Sequence, residues 1–252
     1  MSWLIYCILA CQQPKKLLAP AGVDGKPVRF VGDNGLYAVI SQFVPPALQP
    51  PIEQLHAYAH VVAALHAQCP VIPLRYGCVA QEMPQVMQKI AERHEEYGIL
   101  LGELADCVEL GIRMQPPSGE ASAAAIAAPA CPGTTGTDFL RHRAEHYARE
   151  AQWRHACEQM ITRCGQALDG WWVKSANDPP NPLSPWVSVY FLVRRNGVAA
   201  FQQAFEVYRS KESAKMLLTG PWPPYNFVTS ACHSTTPGSR LIKQGWRIGH
   251  GV

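Results

Sequence analysis

Hydrophobic and polar positions change period several times along this chain, and each change marks an element. Residues 3–11 are apolar on both alternating faces of an extended chain, the pattern of a central strand. Residues 36–43 read as a second strand, announced by the turn signal Asp33-Asn34-Gly35. After Pro50-Pro51 an amphipathic helix runs over residues 52–67, with Ile52, Leu55, Ala59, Val62 and Ala63 on one face. Residues 71–80 form a third strand, interrupted at Pro73, which lacks a ladder donor. A second helix spans residues 84–105 and carries Val86, Ile90, Tyr97, Leu101 and Leu104 as its stripe. Residues 107–114 close the unit, with Val108, Leu110, Ile112 and Met114 pointing one way and Glu109 and Arg113 the other.

That order, β-β-α-β-α-β, predicts an α+β fold in which residues 1–114 make a ferredoxin-like domain, its helices on one face of the sheet. Residues 115–136 hold a single charge, Glu120, in a background of Ala, Pro, Gly, Ser and Thr, and read as a linker. Residues 137–228 are expected to form a second α+β domain led by a long helix. Thr137 and Asp138 offer its N-cap, and it reaches Leu168. Its seam drifts from Leu140, Ala144, Tyr147 and Ala151 to Trp153, Cys157, Met160, Ile161 and Cys164, so it packs on more than one element. Strands follow at 171–175 and 186–194 around a Pro-rich loop, then a helix at 198–211 and a short strand at 215–219. Residues 229–252 are polar and Gly-rich and are expected to be a flexible tail.

At 252 residues the chain has room for two such domains. Hydrophobic residues make up 48% and charged ones only 16%, which weakens self-repulsion and favours association. The net charge of +3 is scattered, and the densest basic runs are the dipeptides Lys15-Lys16 and Arg194-Arg195. No basic stripe with interleaved aromatics exists, so nucleic acid is not expected as a partner. No apolar run reaches the roughly 18 residues of a membrane span. Residues 1–10 lack a basic n-region and hold Trp3 and Tyr6, which suits a strand better than a signal peptide, so a cytoplasmic protein is expected. The nine cysteines include no C-x-x-C pair and read as small buried hydrophobes of a reducing compartment.

The segment Gly220-Pro221-Trp222-Pro223-Pro224-Tyr225-Asn226-Phe227 is the most distinctive. Its prolines fix φ and remove donors, so it can be neither a helix nor a central strand, and its rings are held in set directions. It carries no nucleophile, base or metal ligand. It is either a clasp over a domain or a presented surface, and Trp222 and Tyr225 are expected to brace the second domain first. The one catalytic candidate is His142-Arg143-Ala144-Glu145-His146, an H-x-x-E-H on a predicted helix. Two histidines one turn apart suit a shared zinc, with Glu145 as base of a zinc-dependent hydrolase. No third ligand is evident downstream, and the alternative is a solvated helix face. Glu53, His56 and His60 read as a helical cluster with satisfied histidines. Neither a dinucleotide fingerprint, a P-loop nor a nucleophile elbow is present. No catalytic residue, cofactor, metal or small-molecule substrate is therefore assigned.

Four landmarks together resemble the gas-vesicle protein F/L family. They are Val71-Ile72-Pro73-Leu74-Arg75-Tyr76-Gly77, the strand Val108-Glu109-Leu110-Gly111-Ile112-Arg113-Met114, the long helix after a variable linker, and Thr219-Gly220-Pro221-Trp222-Pro223-Pro224-Tyr225-Asn226-Phe227-Val228. The resemblance covers about residues 3–230 and departs at Leu110, where the family often has Trp. It implies a two-domain α+β protein that is not an enzyme. Its implied role is as an accessory or minor structural protein of gas vesicle assembly, partnered with the hydrophobic shell protein and other accessory vesicle proteins. Pro221, Trp222, Pro223, Pro224, Tyr225, Phe227 and Arg75 are the candidates for partner contact or clasp. Arg75 has a second reading, an ion pair with Glu109 on a neighbouring strand.

Overall fold

The computed structural model describes residues 2–44, 49–116, 136–182, 184 and 186–228. The linker expected at 115–136 lies almost wholly outside these residues, and the tail expected at 229–252 lies wholly outside them.

β1 (Ser2–Ala10) is buried from Leu4 to Leu9 and runs through the middle of an antiparallel sheet. β2 (Arg29–Asp33) and β3 (Leu36–Phe43) form a hairpin beside it, and β4 (Val71–Pro73) and β5 (Val79–Ala80) both pair with its other edge. The hairpin turns at Asn34 and Gly35, with φ of 49° and 84°, the left-handed pair that such a two-residue turn needs. β2 was not expected. It is a short edge strand with charges at both ends, so it carries little hydrophobic signal. The single strand expected over 71–80 is two short ones, because the chain turns at Tyr76-Gly77 between them.

The helices do not share one face of this sheet. α1 (Ile52–His66) sets Tyr58, Val61, Val62 and Leu65 against Leu4, Tyr6, Leu9 and Val39. α2 (Met83–Glu92) and α3 (His94–Glu103) cover the opposite side, where Val86, Ile90, Tyr97 and Leu101 meet Ile5, Ile8, Ala38 and Ile40. A strand apolar on both faces needs cover on both, and β1 receives it. The helix expected over 84–105 is broken in two at Arg93, whose φ of −120° leaves the helical region. Between Ile5 and Cys7 the β1 register slips by one residue, and Tyr6 and Cys7 both turn towards α1. The Tyr58 hydroxyl serves this bulge: it lies 3.1 Å from the carbonyl oxygens of Ile5 and Tyr6 and 2.9 Å from that of Leu74.

The second correction concerns β6 (Cys107–Met114). It does not close the first sheet; it is an inner strand of a second one, ordered β7-β8-β6-β9 with β7 (Lys174–Asn177), β8 (Val187–Arg194) and β9 (Met216–Trp222). All its pairings are antiparallel. Leu110, Ile112 and Met114 of β6 point into a core closed by α4 (Gly136–Ala167) and α5 (Val198–Arg209). α4 contributes Cys157, Met160 and Cys164, all from its second half, and Leu168 follows directly after its end. Phe191, Phe201 and Phe205 fill the space between sheet and α5, with the Phe191 and Phe201 ring centroids 5.4 Å apart. The α+β class stands, as two antiparallel sheets each packed by helices.

Candidate functional site

The two sheets meet along a seam, and the last described residues of the chain are laid across it. β9 reaches this point as an outer strand with an irregularity opposite Glu109–Gly111, and the Gly220–Pro221 peptide there is cis. Gly220 has φ of 107°, and a Cβ on it would stand 2.7 Å from the Glu109 carbonyl oxygen, so only glycine fits. Pro223 and Pro224 then turn the chain inward and are buried, and residues Tyr225–Phe227 make one turn of 3-10 helix.

That turn clasps the seam. Tyr225 packs against the α1 side of the first sheet, in the cluster that includes Tyr6, Cys7 and Tyr58. Phe227 and Val228 join the cluster on the opposite side, with Cys107 and Leu192 of the second sheet. Tyr225 therefore braces the first sheet's core, whereas it was expected to brace the second domain. Burial pushes its phenol well above the ordinary tyrosine range. Trp222 does something different: it is 49% exposed.

Between Tyr225 and Phe227, Asn226 holds the turn to the second sheet. Its backbone N–H donates to Glu109 Oε2 at 2.8 Å and its Nδ2 donates to Glu109 Oε1 at 2.7 Å. Glu109 is only 4% exposed. Its carboxyl is raised to about 7: burial is the largest influence and raises it, the two Asn226 hydrogen bonds lower it, and the Asp178 carboxylate adds to the rise. Asp178 itself accepts a hydrogen bond from the Tyr190 hydroxyl at 2.7 Å.

The pairing of Glu109 with Arg75 is not formed. Glu109 lies in the second sheet and is taken by Asn226, whereas Arg75 is exposed in the connection between β4 and β5. The structure thus brings together Pro223, Pro224, Tyr225 and Phe227, and leaves Trp222 and Pro221 on the outer strand and Arg75 elsewhere. Glu109 and Asn226 are the site residues that sequence reasoning missed. The available signal was one acidic residue in a strand otherwise built for burial.

The cross-strand register sets out what surrounds Trp222. Trp222 is opposite Glu109, Thr219 opposite Gly111 and Leu217 opposite Arg113, while Gly111 is also opposite Tyr190. Opposed residues share a face, so Trp222, Leu217, Tyr190 and Arg113 lie on the side of the second sheet away from α4 and α5. Leu217 is 44% exposed, and although Leu192 on this side is buried with the residues of α3, no described helix covers the outer edge around Leu217.

Further contacts tie the seam. The Arg195 backbone N–H donates to the Asp106 carbonyl at 2.7 Å, Arg194 Nη1 donates to the Ala105 carbonyl at 3.2 Å, and Lys174 pairs with Glu103 at 2.6 Å.

The H-x-x-E-H residues lie on the first half of α4, which is exposed almost throughout. His142 Nδ1 is 3.9 Å from Glu145 Oε2, one turn away, and the His146 ring meets Tyr147 edge-on. Among the described residues, no three His, Cys, Asp or Glu side chains converge as metal ligands. Glu53, His56 and His60 all face solvent on α1. No described helix is long and apolar enough to cross a membrane.

Residues 2–229 match the family model of the gas vesicle synthesis protein GvpL/GvpF. Among curated relatives, gas vesicle protein F of Streptomyces sp. (strain CB03234) is 27% identical over 244 residues, which cover 90% of this chain and 100% of that protein. Gas vesicle protein L of the same strain is 28% identical over 248 residues, covering 87% of this chain and 91% of the relative. Among solved structures, gas vesicle protein GvpF from Microcystis aeruginosa superposes with a TM-score of 0.69 at 16% identity, over 90% of this chain and 98% of that one. GvpF from Anabaena sp. PCC7120 gives a TM-score of 0.67 at 18% identity, over 90% and 95% of the two chains.

Proposed function

The chain belongs to the gas vesicle synthesis protein GvpL/GvpF family and has a role in gas vesicle assembly, and we propose that it fulfils that role by binding the hydrophobic shell protein and other accessory vesicle proteins. The family is a gas vesicle family and not an enzyme family. The reading without catalysis is supported by a clasp made of prolines, aromatics and one buried carboxylate.

The observation that carries the proposal is the outer edge of the second sheet, on the side away from α4 and α5. Trp222 and Leu217 are close to half exposed there, on a strand at the sheet's edge. An edge strand offers unpaired backbone groups to an extended partner, and exposed apolar side chains beside it supply burial when that partner docks. A small hydrophobic shell subunit has both needs. In this reading Pro223, Pro224, Tyr225 and Phe227 fix the direction of the edge, and Pro221, Trp222 and Arg75 are the exposed members of the contact set. In this reading the two sheets with their helices are two modules, β6 belonging to the second, and the clasp joins them. Pull-down of the shell protein by the wild type, Trp222→Ala and Leu217→Ala tests it. Loss of capture with unchanged melting temperature is expected, and full capture by both variants would move the contact elsewhere.

A further inference from the structure

Every described cysteine is a thiol, and Cys11, Cys69 and Cys78 are half-buried where the others are enclosed. Cys78 belongs to the core on the α2 and α3 side of the first sheet, whereas Cys11 and Cys69 share the core on the α1 side. Cys11 follows the last residue of β1, and Cys69 stands between the end of α1 and the start of β4.

The register of the first sheet brings these two together. β1 and β4 pair Cys7 with Pro73, Ile8 with Ile72 and Leu9 with Val71, and the same count carried two residues further sets Cys11 against Cys69. The Leu74 N–H donates to the Tyr6 carbonyl at 3.0 Å, which makes Cys7–Pro73 and Leu9–Val71 pairs of the closer, non-hydrogen-bonded kind. Position 11 against position 69 is the next of that kind. Cα atoms in such pairs lie about 4.5 Å apart, within the roughly 4.4–6.8 Å that a disulfide spans. Each side is also tied in place. β1 keeps its line through Cys11, whose N–H donates to the Gly35 carbonyl at 2.9 Å, and the Cys69 N–H donates to the Leu65 carbonyl at 3.0 Å. Gln68 accepts from the Leu18 N–H and donates to the Leu18 carbonyl, so the chain leaving Cys11 is bound to the chain entering Cys69.

We propose that Cys11 and Cys69 form a dithiol oxidation site, closed to a disulfide by a hydroperoxide such as hydrogen peroxide. Cys69 holds its proton: its Sγ donates to the Leu65 carbonyl at 3.6 Å, and burial, then the neighbouring Cys11, push its pKa up to about 11. The thiolate is the nucleophile in this chemistry, so Cys11, whose Sγ accepts from the Gln13 N–H at 3.4 Å, takes the first step. Its sulfur attacks the peroxide, an S–O bond forms, the O–O bond breaks, and the hydroxide released becomes water on taking up a proton. The Cys69 sulfur then attacks the Cys11 sulfenic acid. The S–S bond forms, the S–O bond breaks, and the hydroxyl leaves as water with the Cys69 proton. Two electrons pass from the two sulfurs to the peroxide, and a thiol reductant reverses the closure. The bridge fastens the end of α1 and the start of β4 to β1.

The test is peptide mass mapping of the reduced full chain after exposure to hydrogen peroxide, with remaining thiols alkylated before unfolding and no reductant during digestion. The expected product is a linked pair of peptides lighter by two hydrogens than their sum, with fragmentation between residues 7 and 11 placing the link on Cys11 and Cys69. It should rise at least tenfold over the untreated chain and disappear with dithiothreitol. In Cys69→Ser, dimedone should trap a sulfenic acid at Cys11. Oxidation of Cys11 without a link to Cys69, a link from Cys7 instead, links between chains only, or no reaction at Cys11 would each overturn the proposal in the wild type, whether or not Cys69→Ser folds. A folded Cys69→Ser variant without the dimedone adduct overturns the order of the two steps.

Discussion

Glu109 on the second sheet accepts two hydrogen bonds from Asn226, one from its backbone and one from its side chain, 117 residues further along. Those two bonds hold the clasp to the second sheet, while its neighbours Tyr225 and Phe227 enter the two cores of the first. Glu109 is also buried, so the latch is sensitive to its proton.

The sign of that sensitivity follows from the raised pKa. An unfolded glutamate releases its proton near 4.5, whereas folded Glu109 holds it to about 7. The folded chain binds more protons between these values, so this group's contribution to stability is full below the lower value and is lost as pH rises through the upper one. Relative to Glu109→Gln, the wild type should lose stability equivalent to about 1–3 kcal/mol over pH 5 to 7.5. The difference between the two chains isolates Glu109 from His66, whose pKa is lowered by burial and gives a slope of the opposite sign, and calorimetry of both across this range checks it.

Asn226→Ala removes the side-chain donor to the buried Glu109 carboxyl and keeps the backbone one, a loss of about 1–3 kcal/mol. Asn226→Asp should cost more and become worse with rising pH, because two carboxylates then face each other. Chemical denaturation at two pH values separates these cases.

Tyr225 and Trp222, three residues apart, should behave oppositely. Tyr225→Ala empties a position in the first core and should destabilise by about 3–5 kcal/mol. Trp222→Ala removes a half-exposed ring and should cost less than about 1 kcal/mol, yet it should reduce shell-protein capture. Urea titration of both variants beside the pull-down reads the two effects independently.

At Tyr58, loss of the hydroxyl in Tyr58→Phe leaves carbonyls at the β1 bulge without their side-chain donor. A cost of about 1–3 kcal/mol is expected, with faster amide exchange along β1 and β4 as the local sign.

The sequence made some of this legible and hid the rest for physical reasons. The uninterrupted apolar run of β1 marks a central strand, and Asn34-Gly35 marks its hairpin turn, because both signals are local. The long helix is also local: its expected span to Leu168 agrees closely with Gly136–Ala167. Which sheet β6 joins is not local. Its alternation of apolar residues suits either sheet, and the choice is made by β8 and β9, which lie roughly 80 and 110 residues later. The same distance hid the latch, since Glu109 as a lone acidic residue suggested an ion pair and gave no hint of an asparagine beyond the second sheet. On α1 the expected stripe was slightly rotated, because Tyr58 reaches further inward than Ala63. The Pro-aromatic segment declared its stiffness but not its target: Trp222 and Tyr225 look alike in sequence and point to solvent and core respectively.

The central claim is that this chain acts in gas vesicle assembly through its surfaces and not through chemistry at the H-x-x-E-H helix. The most direct measurement is complementation in a vesicle-forming host whose own copy of the gene has been deleted, scored by buoyancy and by hollow particles in electron micrographs. The account predicts loss of vesicles on deletion and equal restoration by the wild type and by His142→Ala/His146→Ala. Normal vesicles in the deleted host, or failure of a folded His142→Ala/His146→Ala variant to restore them, would contradict it.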